Sequence, residues 1–176
     1  MVNKPTVTDL IKLLDKPALL GWANRIGLDG IKLDDYRKKS TTTGTSLHKQ
    51  IEMYVKEKKP FENLVHQQSF DKYFFDKEIL SIETNIETEW FKGRMDLKIG
   101  YKGKTYVCDF KSNQSSVYFE NKLQLSAYRM AENADGVGII SIPDFTFIPV
   151  IIKDFTPYQE ILKLLSRIYY LKQSLF

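Results

Sequence analysis

Asp96, Asp109 and Lys111 are spaced to make a small reactive centre, because residues 93–111, GRMDLKIGYKGKTYVCDFK, read as a β-hairpin that sets the two aspartates against each other with the lysine beside them. Lys102-Gly103 is the turn signal, with glycine supplying a positive φ between two runs of alternating apolar residues. A turn there pairs Met95 with Phe110, Leu97 with Cys108 and Ile99 with Tyr106 on one face. The other face pairs Arg94 with Lys111, Asp96 with Asp109 and Lys98 with Val107. Like charges directly opposite on one face repel, so facing carboxylates cost stability unless a cation or a shared proton compensates. A divalent metal is such a cation. Asp109 and Lys111 are two apart on one strand and share its face, which brings the ammonium to a substrate or water beside the metal. The competing reading is a solvated hairpin face on which Arg94, Lys98 and Lys111 neutralise two surface aspartates.

The hairpin needs a sheet and helices to hold it. Residues 78–90, EILSIETNIETEW, alternate like a strand leading into it. Phe119 to Ala134 has helical spacing, and Asp135-Gly136 then opens the apolar strand VGIISI. A further strand runs from Phe147 to Ile152 after a Pro143-Asp144 turn. The closing helix is expected to be capped by Thr156, with Pro157 at its first position and Gln159 completing a T-x-x-Q box. Ile161, Leu162, Leu164, Leu165, Ile168 and Leu171 are its expected buried side. Upstream, Thr8 to Ile26 reads as helix interrupted near Pro17, and Gly27 to Thr43 as a long polar loop. Thr43 or Thr45 then caps a helix through about Glu57, on which His48 and Glu52 flank an apolar stripe of Leu47, Ile51 and Val55. Residues 61–76 read as a shorter helix. The order is that of an α/β sandwich with a mixed central sheet.

With 43% hydrophobic and 13% aromatic content, 176 residues can bury one good core, which predicts one domain over 1–176. Its parts are N-terminal helices over 1–60, a sheet with an inserted helix over 78–152 and a C-terminal helix over 156–175. The single cysteine, Cys108, falls on the apolar face and reads as core. It excludes, within the chain, a disulfide framework, a cysteine zinc site and a four-cysteine iron–sulfur cluster. No secretory signal or transmembrane run is apparent, so the cytoplasm is the expected compartment. A net charge of +4 and a pI near 9.0 permit a polyanionic partner without demanding one. Local clusters, Arg37-Lys38-Lys39, Lys56 with Lys58-Lys59, Lys92-Gly-Arg94, and Lys102 with Lys104, are more suggestive.

Four motifs in order, Gly44-Thr45-Ser46-Leu47-His48, G-R-M-D over 93–96, D-F-K-S over 109–112 and Gln124-Leu-Ser-Ala-Tyr128, resemble the PD-(D/E)XK nuclease superfamily, and within it the RecB-like exonuclease branch. The resemblance spans residues 44–150 and implies a restriction-endonuclease-like core. It implies that Asp96 and Asp109 hold a catalytic divalent metal, with His48 as a further ligand and the Phe110 carbonyl as a backbone ligand. Lys111 would orient the attacking water and stabilise charge on the phosphate. Gln124 and Tyr128, one helical turn apart, together with Arg94 and Ser112, would contact the nucleic acid, and Glu83 matches an additional acidic position. Tyr118 and Phe119 are candidates for base stacking, although at least one is expected in the core.

Phosphodiester hydrolysis needs a nucleophilic water, neutralisation of the extra charge on the phosphorane, and help for the leaving oxygen. Oxygen ligands suit Mg²⁺ or Mn²⁺, and an imidazole ligand shifts the preference toward Mn²⁺. Many RecB-like nucleases carry iron–sulfur cysteines or a fused helicase. This chain has neither and resembles a minimal stand-alone nuclease, of the kind found in phages, mobile elements and repair systems. DNA, as single strands or duplex ends, is the expected partner, with a helicase or recombination protein acting in trans. Two alternatives remain: a structure- or sequence-specific endonuclease on the same fold, and a catalytically idle nucleic-acid-binding subunit.

Overall fold

Alternation of apolar and polar residues from Glu78 onward produces three antiparallel strands, β1 (Glu78–Glu87), β2 (Lys92–Tyr101) and β3 (Lys104–Ser112). The β2–β3 turn falls at Lys102 and Gly103, with φ of 50° and 73°, the doubly left-handed pair that matches strand twist. The ladder runs from Tyr101/Lys104 to Leu97/Cys108 in the register that this turn dictates. The computed structural model describes residues 3–14, 23–25, 27–30, 32, 46–112 and 116–175. Trp22, the break near Pro17, most of the Gly27–Thr43 loop, the Thr43 or Thr45 cap and the Gly44-Thr45 part of the first motif lie outside the described residues.

By its contacts the chain divides into two units, Met1–Leu13 with Asn63–Phe176, and Leu14–Glu62. The first contains the sheet. Its helices include α1 (Val7–Ile11), which starts one residue before the expected Thr8 because Thr6 caps it and forms a reciprocal capping box with Asp9. In the second unit, residues 46–57 form helix α2 with Leu47 and Ile51 buried. Lys58, at φ 58°, ends it, and the chain turns back so that Gln50 accepts the Glu62 N–H and Tyr54 meets Phe61 edge-on.

Beyond α3 (Leu64–Phe74) and the hairpin, helix α4 (Phe119–Glu132) connects β3 to β4 (Gly136–Ile142), which pairs parallel to β3. β5 (Thr146–Pro149) closes the sheet antiparallel to β4, giving a five-stranded mixed sheet in the order β1-β2-β3-β4-β5. β5 is shorter than the expected 147–152. β3 is central, and Val107, Cys108, Asp109 and Phe110 are all buried on it. The Cys108 thiol is pushed up to about 12 by burial and then by the neighbouring carboxylate of Asp109. Native protein is therefore expected to leave Cys108 unreacted with a chromogenic disulfide near neutral pH, while urea-unfolded protein titrates one thiol; rapid reaction of the folded form would contradict this packing.

The C-terminal helix α5 (Thr156–Ser174) corrects two expectations. Phe155 is its N-cap, and Thr156 is already helical; the Asp154 carboxylate accepts the Thr156 N–H, so no T-x-x-Q box forms. Its buried side is Leu162, Leu165 and Ser166, with the Ser166 hydroxyl donating to the Trp90 carbonyl. Leu164, Ile168 and Leu171 are exposed, because a helix contacting its neighbours along one narrow stripe cannot bury both of its apolar faces. Tyr118 and Phe119 are both exposed, so neither belongs to the core. Among the described residues no helix is long and apolar enough to cross a membrane.

Candidate active site

The face of the sheet that carries Asp96, Lys98, Asp109 and Lys111 is not solvated. Helix α4 covers it: Lys98 Nζ donates to the Glu132 carbonyl (3.2 Å) and carboxylate (3.0 Å), and Lys111 Nζ donates to Gln124 Oε1 at 3.3 Å. Asp109 is consequently only 2% exposed, and this burial excludes the reading of a solvated hairpin face. Lys111 Nζ lies 2.7 Å from Asp109 Oδ2, yet the approach lacks hydrogen-bond alignment, and that buried oxygen accepts no hydrogen bond. A buried carboxylate oxygen whose neighbouring cation is poorly aligned with it is unusual, and a bound ion or water would complete its coordination.

Asp96 does not continue the ladder opposite Asp109. The regular β2–β3 pairing stops at Leu97/Cys108, and the Asp96 carboxylate accepts the Phe110 N–H at 2.9 Å. A backbone donor thus fixes the first carboxylate against the strand that carries the second. The structure involves Phe110 through its amide, a contact that strand alternation alone does not reveal.

Glu83 joins them from β1. It sits between Ile82 and Thr84, whose partners Leu97 and Met95 bracket Asp96. Oxygens of the Glu83 and Asp96 carboxylates lie within 4.8 Å of each other. Glu83 has φ 48°, the left-handed region that an ordinary residue adopts at some cost, and such strain gathers at functional sites. Its carboxylate is met by Arg94, Nε to Oε2 at 2.7 Å. Glu83 and Asp96 thus form a close pair of carboxylates on β1 and β2, with Asp109 and Lys111 on the neighbouring β3 outside that close pair, and hard oxygen donors of this kind fit Mg²⁺ or Mn²⁺.

Gln124 and Tyr128, on α4, close the network: Gln124 Nε2 donates to the Tyr128 hydroxyl at 2.8 Å while its Oε1 holds Lys111. Burial first, then the charge of Asp109, raise the Tyr128 phenol well above its ordinary value, so it remains a neutral O–H donor at physiological pH. Gln124→Ala removes both bonds and is expected to cost about 1 kcal/mol in urea unfolding. An unchanged midpoint and slope would show that the amide does not hold Lys111.

Ser112 is exposed at the end of β3. His48 is half-buried on α2, in the second unit.

No family model matches the chain, and no curated protein matches it. Among solved structures, the crystal structure of SSO0001 is similar with a TM-score of 0.44 and 17% identity, covering 96% of this chain and 79% of that one. The likeness is too distant to bear on chemistry.

Proposed function

We propose that the chain is a divalent-metal-dependent deoxyribonuclease with a PD-(D/E)XK core of the RecB-like branch, acting as an exonuclease on single strands or DNA ends. The observation that carries this reading is the buried Asp109 carboxylate, its Oδ2 beside the poorly aligned Lys111 ammonium that Gln124 also holds, on the strand next to the one that brings Asp96 close to Glu83. Asp96, Asp109 and Glu83 would hold the metal, and the sequence resemblance adds His48 and the Phe110 carbonyl as further ligands. When bound, Mg²⁺ or Mn²⁺ would lower the pKa of water and neutralise phosphate charge. The chain's own residues do the rest. The Asp96 carboxylate is oriented by the Phe110 amide, and Lys111 presents N–H donors to the attacking water and to the oxygen on which charge develops. Arg94, Ser112, Gln124 and Tyr128 are the proposed contacts to the strand.

A helicase or recombination protein in trans, and a cytoplasmic setting, are part of the same proposal. Purified protein should degrade 5′- or 3′-labelled linear DNA from one end with Mn²⁺ or Mg²⁺ and not with EDTA, while leaving circular DNA intact. Cleavage of circles would replace the exonuclease by an endonuclease. Binding without any cleavage would leave only a nucleic-acid-binding module.

A further inference from the structure

A concavity of about 660 Å³ adjoins the proposed centre, entirely within the sheet-containing unit. Tyr128 borders it on the side of the Gln124–Lys111 network, and Arg94 lines it while pairing with Glu83. From there the walls run along β2 to Lys92, with Asn85 on β1 and Thr8 on α1 offering neutral hydrogen-bonding groups. The acid on the wall, Glu87, is already engaged by Lys4. The lining aromatic, Tyr128, is 4% exposed and presents no face for stacking.

Lys92, Arg94 and Asp96 are alternate residues of one strand and point to one face. Their spacing along β2 is about 6.6 Å per step, close to the separation of neighbouring phosphates along a nucleic acid strand. We infer that this groove is a backbone track in which Arg94 and Lys92 engage the first and second phosphates beyond the one held at Asp96. The inference builds on the nuclease reading and specifies its substrate: a single strand, held through phosphate and sugar and not through its bases. A concavity of this size matches one or two nucleotides of a single strand. Recognition by cations and hydroxyls, with no base edge or stack engaged, is independent of sequence.

The test uses the Asp109→Asn protein, which retains the groove and is expected not to cut. Its affinity for a fluorescent single strand is measured by anisotropy at salt concentrations between about 50 and 200 mM. Adding Lys92→Ala is expected to weaken binding about threefold to tenfold at the higher salt and to lower the log–log salt slope by about 0.7, the loss of one phosphate contact on a single strand. Lys104→Ala removes the same charge at the opposite end of the hairpin and should leave the slope unchanged. If Lys92→Ala and Lys104→Ala behave alike, or Lys92→Ala matches its parent, the track is wrong while nucleic acid binding stands. If the parent binds no nucleic acid at any salt, the nuclease reading fails with it. A loss that varies with base sequence would also overturn the backbone assignment.

Discussion

Asp109→Asn is expected to lower cleavage by at least roughly 10³-fold while leaving the metal-free fold no less stable than the wild type. The two halves of this expectation have one cause. Asp109 is a buried carboxylate with an ion pair but no hydrogen bond to its Oδ2, so in the absence of metal its charge is a liability that the neutral, isosteric amide removes. Lys111 is partly exposed and can turn to water once its partner is neutral. Urea unfolding in EDTA should therefore give the variant between about 0 and 2 kcal/mol more stability. Added Mn²⁺ should reverse the order. At a hundredfold excess over its Kd the ion contributes about 2.7 kcal/mol to a fold that binds it, raising the Tm of the wild type and not that of the variant. A variant that still cuts within tenfold of wild type, or that melts with the same Mn²⁺ shift, contradicts the assignment of Asp109.

Lys111→Met should fail in the opposite sense. It keeps most of the aliphatic stem and removes the ammonium, leaving Asp109 buried with its neighbouring cation gone. Uncompensated buried charge is expensive; discounted because the Lys111 side chain is 29% exposed, the loss in EDTA is expected to be about 1–3 kcal/mol. Mn²⁺ should restore much of it, because the ion replaces the missing charge. Cleavage should drop at least roughly 10²-fold even with saturating metal, because the donors proposed for the attacking water and the phosphate are gone. Stability in EDTA and the Mn²⁺ response of the two variants thus form a diagnostic pair. If both lose stability in EDTA to the same extent, Asp109 and Lys111 act as a structural ion pair and nothing more.

The hairpin and its register were legible in the sequence because Lys102-Gly103 permits a tight turn and a side-chain period of two leaves one choice of face. The mixed sheet followed from a helix inserted between β3 and β4. What the local pattern did not carry was the environment of the polar face. That face is buried because α4 lies over it, a tertiary event that turns Asp109 from a surface acid into an interior one. The departure of Asp96 from the ladder was hidden for a similar reason, since a side chain capturing the Phe110 amide leaves no mark on alternation. The left-handed Glu83 had no glycine or asparagine to announce it. On α5, apolar residues at helical spacing looked like one wide buried stripe, and only the neighbours of the helix decide that Leu162 and Leu165 go inside while Leu164 and Ile168 stay out. The Lys92-Gly-Arg94 cluster was visible as charge, but its continuity with Asp96 along one strand face acquires meaning only beside the concavity.

The most direct measurement is anomalous diffraction from crystals of the wild-type protein soaked in Mn²⁺, compared with Asp109→Asn crystals treated alike. The account predicts a manganese peak within about 2.5 Å of carboxylate oxygens of both Asp96 and Asp109, absent or much reduced in the variant. A fully ordered site with no peak at saturating Mn²⁺, or a peak that ignores Asp109, would contradict the claim that these carboxylates form a metal-dependent hydrolytic centre.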